Sequence, residues 1–332
     1  MSDKIAILTY LSVQNTPVTM GMIKEAIPFC VSERTVRRWL NQAEKDGKLI
    51  VDGQRRTTTY ISTSIGKGNT PFKFLQGKSK SLQEQILKSL RDFWTHNSTA
   101  IEGNTLTLGD TQFILDEGLT VSGKPIKEHQ EIIGHARAIE LVYRMLETGV
   151  TEQSFFDLHK SVQSEVIYDI EKPYGAWKVE INGTRVLGAD NKPIYLEYAH
   201  PVYVKFLMSE VILLINENHY FETPQAAIKH YVMIHAAIAH IHPFWDGNGR
   251  IARLIANMPL LKAGLPPIVI PNERRREYIQ LLASYEIKTG KLDKSTGALP
   301  RVDLLDDFEL FCSQCYQETL DIISIDKSED RE

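Results

Sequence analysis

The chain has 332 residues and a mass of 37.8 kDa, enough for about two domains with a well-buried core. With 42% hydrophobic, 24% charged and 9% aromatic residues, it fits neither a disordered nor a collagen-like composition. Three cysteines are too few for a disulfide-stapled secreted scaffold, and the first residues lack the basic-then-apolar order of a signal peptide. No apolar run reaches the roughly 18 residues of a bilayer span, because Lys229, His230, His235 and His240 interrupt Ala226 to Phe244. The expectation is a cytoplasmic protein without a membrane partner.

The net charge of −4 conceals an asymmetry. Residues 1–80 hold 13 lysines and arginines against 6 acidic residues, a net of +7, and residues 81–332 carry −11. Gly53 to Gln83 contains no acidic residue at all. A basic N-terminal unit on an acidic body suggests a separate module with a polyanionic partner.

In chain order, Ile5, Leu8 and Leu11 recur at helical spacing, and a second short helix fits Met20 to Ile27 before Pro28. Ser32 is a candidate N-cap for a third, Glu33 to Asp46, with Val36, Trp39, Leu40 and Ala43 facing a core, Arg34, Arg37, Arg38 and Asn41 facing out, and Gly47 ending it. Leu49 to Val51 and Thr57 to Ile61 then read as a hairpin around an Asp52-Gly53 turn, with Arg55 and Arg56 at its tip. Three helices and a hairpin resemble a winged helix-turn-helix domain over residues 1–64. Such domains bind DNA through the third helix and the wing, and also serve as protein-docking units.

Ser62 to Lys80 is rich in Ser, Thr, Gly and Lys, and residues 65–80 read as a linker. Helical patterns dominate residues 81–290 and continue through a C-terminal extension, 291–332. One interruption, Trp177 to Ile181, alternates with period two and runs into Asn182-Gly183, a hairpin signal.

The chemistry concentrates in His242-Pro243-Phe244-Trp245-Asp246-Gly247-Asn248-Gly249-Arg250-Ile251-Ala252-Arg253. A long apolar helix delivers His242, Pro243 blocks its continuation, and Gly247 and Gly249 let the backbone turn tightly into a new helix. The free N–H groups at that helix start make an anion site, and Arg250 and Arg253 are placed to reach the anion. A base candidate, a carboxylate, an anion cradle and two cations within twelve residues suit a metal-bound polyphosphate. The five-residue spacing of His230, His235 and His240 turns successive ligands about 140° around a helix, unlike a same-face metal pair, so these histidines read as packing residues. Cys312 and Cys315 have redox-motif spacing in an amphipathic helix with no βαβ pattern around it, and read as ordinary helix residues.

The same twelve residues resemble, at every fixed position, the Fic family signature His-Pro-Phe-x-Asp-Gly-Asn-Gly-Arg-x-x-Arg. The resemblance implies a mostly α fold, a Fic-like helical core with a β-hairpin flap, beside the small winged-helix (α+β) domain. It implies transfer of AMP from ATP to a Ser, Thr or Tyr hydroxyl of a target protein, the chain itself included. His242 would be the general base and Asp246 the Mg²⁺ ligand. Gly247, Asn248, Gly249, Arg250, Ile251, Ala252 and Arg253 would hold ATP, with Tyr278 as an aromatic near the nucleotide. Upstream, Ser98-Thr-Ala-Ile-Glu102-Gly103 resembles the family's inhibitory motif, on a helix near residues 93–103. That resemblance implies that Glu102 pairs with Arg253 and misplaces ATP. Trp177 to Tyr198 is the flap candidate, with Ile194 to Tyr198 as the strand on which a target would dock. Two other readings stand beside this one: a nucleotide-sensing DNA-binding transcription regulator, against which the intact His242 argues, and de-adenylylation by the same site. A homo-oligomer is compatible with all of them.

Overall fold

The computed structural model describes residues 4, 7, 10, 11, 17–27, 31–45, 49–53, 58–62, 71–163, 169–187, 193–217, 221 and 223–325. Lys4, Ile7, Tyr10 and Leu11 are helical, with Ile7 and Leu11 buried. A two-residue strand, β1 (Val18–Thr19), leads into α1 (Met20–Ala26), where the Thr19 hydroxyl accepts the Met22 amide at 3.3 Å as an N-cap. Helix α2 (Glu33–Lys45) and the strands β2 (Leu49–Asp52) and β3 (Thr59–Ser62) follow, and β3 lies antiparallel between β2 and β1. Val36, Leu40 and Ala43 share a core with Ile23, Leu49 and Tyr60, as the spacing on α2 predicts.

The hairpin differs from its sequence reading. Asp52 pairs with Thr59, so Asp52 belongs to a strand and not to a two-residue turn. Strand β1 is too short to leave a period-two signal. Arg34 and Arg38 are exposed, while Arg37 folds back onto Glu33 (2.7 Å) and the Tyr60 hydroxyl (3.4 Å). Arg55, Arg56, Gly47, Ile5 and Leu8 lie outside the described residues, as do residues 65–70 of the expected linker. The rest of that linker is docked: Phe74 donates its amide to the Gly264 carbonyl at 2.9 Å, and Phe72 packs edge-on against Tyr143 with ring centroids 5.0 Å apart.

The body contains α3 (Lys80–Ile101), α4 (Leu108–Glu117), α5 (Ile126–Thr148), α6 (Glu152–Val162), β4 (Gly183–Leu187), β5 (Pro193–Glu197), α7 (Pro201–Asn216), α8 (Pro224–Ile241), α9 (Asn248–Ile255), α10 (Met258–Lys262), α11 (Arg275–Thr289) and α12 (Asp306–Ile325). Every side chain from Ile234 to Ile241 is buried, which makes α8 the central helix, surrounded by α7, α9, α10, α11 and α12. Among the described residues no helix is long and apolar enough to cross a membrane.

Three boundaries move. The helical pattern after Gly249 is split into α9 and α10: Pro259 has no N–H to bond back into α9 and sits in the first turn of α10, where none is needed. Asn257 repairs the gap, donating to the Arg253 and Ile268 carbonyls (2.9 and 3.1 Å) and accepting the Ile268 amide (2.7 Å). The C-terminal extension is part of the core: Leu305, Phe308, Phe311, Cys312 and Cys315 are buried in the same cluster as α8. The hairpin of the body runs over β4 and β5, pairing Gly183 with Glu197 and Leu187 with Pro193, so Asn182-Gly183 begins the hairpin instead of turning it. Residues 177–181 form no strand, because Trp177 and Lys178 are spent elsewhere: the indole N–H donates to Glu152 at 2.8 Å and the Lys178 amide to the Pro243 carbonyl at 2.9 Å.

Helices α5 and α6 meet at Gly134, where a β-carbon would lie 2.1 Å from the Ser161 carbonyl oxygen. The clash outweighs the better helix propensity of alanine, worth about 1 kcal/mol. Gly134→Ala is therefore expected to cost a net 1–3 kcal/mol, roughly, and to lower the melting temperature by several degrees. A thermal melt that leaves the midpoint unchanged contradicts this close packing.

Candidate active site

Helix α8 ends at His242, which adopts a left-handed conformation (φ 50°), and Pro243 follows. The chain returns to helix at Asn248 after Gly247, whose φ of 77° suits glycine. Asn248 staples the intervening loop: its side chain accepts the Phe244 amide at 2.8 Å and donates to the Phe244 carbonyl at 2.9 Å. Asn182 donates to the same carbonyl at 2.9 Å, and the Phe244 ring stacks on His159 at 4.3 Å. Lys178, 3% exposed, donates to the Ile241 carbonyl at 3.2 Å, and burial lowers its pKa to about 7. The loop is thus held from both sides by buried polar contacts.

His242 is oriented by two contacts. Its Nδ1–H donates to the Ala239 carbonyl at 3.2 Å, and its ring lies flat on Tyr198 with centroids 3.8 Å apart. The Nε2 atom then carries the lone pair. Burial lowers the pKa of His242 to about 4, so near neutral pH it is an unprotonated base. Asp246 accepts the Gly247 amide at 2.7 Å, and its half-exposed side chain faces the cleft. The first amides of α9, those of Asn248, Gly249 and Arg250, have no acceptor within the helix. The Ile251 amide is already given to the Gly247 carbonyl at 3.0 Å, and the Ile251 and Ala252 side chains are fully buried, so neither lines the cleft.

The two arginines part ways. Arg250 gives Nη1 to the Val162 carbonyl at 2.7 Å and approaches Asp246 at 3.6 Å, behind the loop. Arg253 lies in the cleft wall with its donors taken: Nη2 holds Glu102 at 2.6 Å and the Ser98 carbonyl at 2.8 Å, Nε reaches the Ser98 hydroxyl at 3.1 Å, and Nη1 reaches the Tyr278 hydroxyl at 3.4 Å. Burial alone would raise the Glu102 pKa; the charge and hydrogen bond of Arg253 override it and hold the carboxyl below its usual range. Glu102 stands at the C-terminal end of α3, and Gly249 leaves room for it, since a β-carbon there would lie 2.5 Å from Oε1. The Tyr278 hydroxyl donates a hydrogen bond to His235 Nε2 (2.9 Å), and His235 Nδ1–H donates to the Tyr231 hydroxyl (3.1 Å). Both His235 and His240 are buried within the helical core.

A cleft of about 290 Å³ collects His242, Asp246, Gly247 to Gly249, Arg253, Glu102 and Tyr278. It also brings in residues that no motif flagged. Tyr198, Arg275 and Glu286 line it, and Arg275 caps α3 by donating to the Ile101 carbonyl at 2.6 Å. Ile194 and Tyr195 on the outer strand β5 are exposed.

Burial lowers four histidines of this region: His159, His240 and His242 to about 4 and His235 to about 3. A histidine whose pKa is depressed by folding takes up its proton more readily in the unfolded chain, so its contribution to stability is lost as pH falls from 6.5 toward 4. The melting temperature is expected to drop steadily across pH 6.5 to 4. A midpoint that stays level from pH 7 to pH 5 would show that these side chains are not buried as neutral imidazoles.

Residues 150–260 match the model of the Fic/DOC family. The protein adenylyltransferase Fic of Drosophila erecta is 31% identical over 229 residues, which are 68% of this chain and 40% of that protein. The protein adenylyltransferase fic-1 of Caenorhabditis elegans is 31% identical over 231 residues, covering 67% and 43% respectively. The chain therefore spans about two fifths of the length of these curated relatives. Its fold is similar to that of a Fic-domain-containing signaling protein from Bacteroides thetaiotaomicron, with a TM-score of 0.66 and 27% identity over 77% of this chain and 94% of that one. Residues 150–260, with the motif loop near their C-terminal end, thus form a Fic/DOC family domain.

Proposed function

We propose that the cleft binds ATP and transfers its AMP part to a hydroxyl of a protein, and that Glu102 restrains the reaction in the resting state. The observation that carries the reading is convergence: an unprotonated His242 Nε2, the Asp246 carboxylate and the open amides of α9 face one cleft, while the nearby guanidinium of Arg253 is occupied by Glu102. The curated relatives are named for the same transfer.

In this mechanism the target hydroxyl attacks the α-phosphorus in line, its proton passes to His242 Nε2, and the bond to the bridging oxygen breaks to release pyrophosphate. The amides of Asn248, Gly249 and Arg250 receive phosphate oxygens at the positive end of α9. Asn248 acts there through its amide, because its side chain is committed to Phe244. Among the described residues no cluster of three metal-ligating side chains occurs, and Asp246 is the carboxylate beside the cradle. That donor set suits Mg²⁺, which commonly takes one or two carboxylates and completes its shell with phosphate oxygens and water. Bound there, the ion would neutralise phosphate charge. Strand β5, exposed at Ile194 and Tyr195, offers a target backbone an edge for strand addition.

Removing the carboxylate frees a charge-assisted donor worth about 1.5–3 kcal/mol, roughly ten- to 150-fold in correctly placed ATP. Glu102→Gly is therefore expected to raise labelling of protein by α-labelled ATP, with no label from γ-labelled ATP. Arg253→Ala in that background loses most of the gain, and His242→Ala abolishes transfer while leaving ATP affinity within a few-fold. Unchanged labelling in a folded, ATP-binding Glu102→Gly protein would overturn the restraint, and transfer by His242→Ala at the parent rate would overturn the mechanism.

For the basic N-terminal unit we propose duplex DNA binding, supported by its net charge of +7 and by the exposure of Arg34 and Arg38 on α2. Affinity of the full chain for a duplex is expected to fall steeply with salt and to weaken in an Arg34→Ala, Arg38→Ala variant. Absence of a gel shift at low salt contradicts it and leaves a protein-docking role.

A further inference from the structure

The contact between His242 and Tyr198 is unusually close. Their rings lie with centroids 3.8 Å apart and an interplanar angle of 1°. Neutral aromatic pairs prefer offset or edge-on arrangements at about 4.5–7 Å, because the faces of two neutral rings repel. A cationic ring over a neutral one is instead attracted by the quadrupole of its neighbour. The arrangement therefore suits His242 better as an imidazolium than as an imidazole. Tyr198 is also tied in place: its amide donates to the Asn182 carbonyl at 3.1 Å, and its hydroxyl is hydrogen-bonded to Thr184 on β4. Burial raises the pKa of the phenol, so the ring keeps its proton and its neutral face. Tyr198, Thr184 and His242 line the same cleft.

Resting on the adenylyl-transfer reading of that cleft, we propose that Tyr198 is a positioning residue for the reaction: it fixes the His242 ring, and its π face stabilises the imidazolium that forms when the target hydroxyl gives up its proton. In that step the hydroxyl oxygen bonds to the α-phosphorus and its proton moves to His242 Nε2. The bond from phosphorus to the bridging oxygen breaks, and its electron pair leaves with pyrophosphate. The histidine ring gains one positive charge.

The surroundings of His242 show why such help matters. Burial makes it a weak proton acceptor, and the ammonium of Lys178, committed to Asn182 and the Ile241 carbonyl, adds a repulsion. The Ala239 carbonyl at Nδ1 and the carboxylates of Glu102 and Asp246 favour the charged ring. Glu102 is spent on Arg253, however, and Asp246 leans toward Arg250. Tyr198 is the group that touches the face of the ring.

The test separates the electrons of the Tyr198 ring from its bulk. In the full chain carrying Glu102→Gly, residue 198 is replaced by Phe, by phenylalanines with one, two and three ring fluorines, and by Leu. The rate of α-label transfer into the proteins of one lysate is measured at saturating ATP, and ATP affinity by calorimetry. Fluorine draws electron density from the ring face with little change of shape, and so weakens its attraction for a cation. Tyr198→Phe is expected to transfer within about threefold of the Tyr198 chain, since only the Thr184 contact is lost. The rate is expected to fall with each added fluorine, and Tyr198→Leu to lose about three- to thirtyfold, while ATP affinity holds within about threefold. A side chain that merely packs gives one rate across the fluorinated series. That result, or a loss of rate matched by an equal loss of ATP affinity, overturns the assignment and leaves adenylyl transfer standing. Should Tyr198→Leu fail to fold, the fluorinated series decides. A Glu102→Gly chain that binds ATP and labels nothing brings down the transfer reading, and the assignment with it.

Discussion

The structure turns on one guanidinium. Arg253, 2% exposed, joins the last turn of α9 to the last turn of α3 through Glu102 and both oxygens of Ser98, and to α11 through the Tyr278 hydroxyl. A buried cation must have its donors satisfied, and a phosphate entering the cleft competes for the same donors. On the proposed function, the protein groups around Arg253 would set how a polyphosphate sits. Of these groups, Ser98 contributes from a buried position and Tyr278 is fixed by His235, whereas Glu102 stands at the cleft opening, with a side chain that is 42% exposed. Glu102 is the partner that can leave at least cost.

The same logic shapes the loop that carries His242. A left-handed histidine and two closely spaced glycines give this segment little intrinsic reason to hold one conformation, and side-chain amides hold it instead. Asn248 and Asn182 converge on the Phe244 carbonyl, Lys178 ties the segment before the hairpin to the Ile241 and Pro243 carbonyls, and Asn257 closes the gap behind α9. The wiring couples the start of the β4–β5 hairpin to the loop that carries His242, so β5 and the His242 ring keep a fixed relation. Tyr198, at the end of β5, completes it by stacking on the His242 ring.

The parts of this arrangement that were legible in the sequence are those with local signals. The Pro243 stop, the glycine-permitted turn at Gly247 and the apolar stripe of α9 all follow from a few consecutive residues. The four-residue step from Ser98 to Glu102 did as well, though its significance came from resemblance. Long-range packing was illegible. Trp177 to Ile181 alternates like a strand, yet Trp177 and Lys178 answer to Glu152 and Pro243, which no periodicity reveals. By spacing alone Arg250 and Arg253, three residues apart, are placed for one anion; the Val162 carbonyl draws Arg250 away. Glu286 sits on a helix whose pattern looks amphipathic and ordinary, and only its burial beside the cleft singles it out.

The central claim concerns where Arg253 points when nucleotide is bound. Crystal structures of the parent chain and of Glu102→Gly, each with a non-hydrolysable ATP analogue, test it directly. Arg253 is expected to remain on Glu102 in the parent, with the terminal phosphate displaced, and to grip that phosphate in the variant. A parent complex in which the Arg253–Glu102 pair is intact and the triphosphate nevertheless lies in line for attack beside His242 would contradict it.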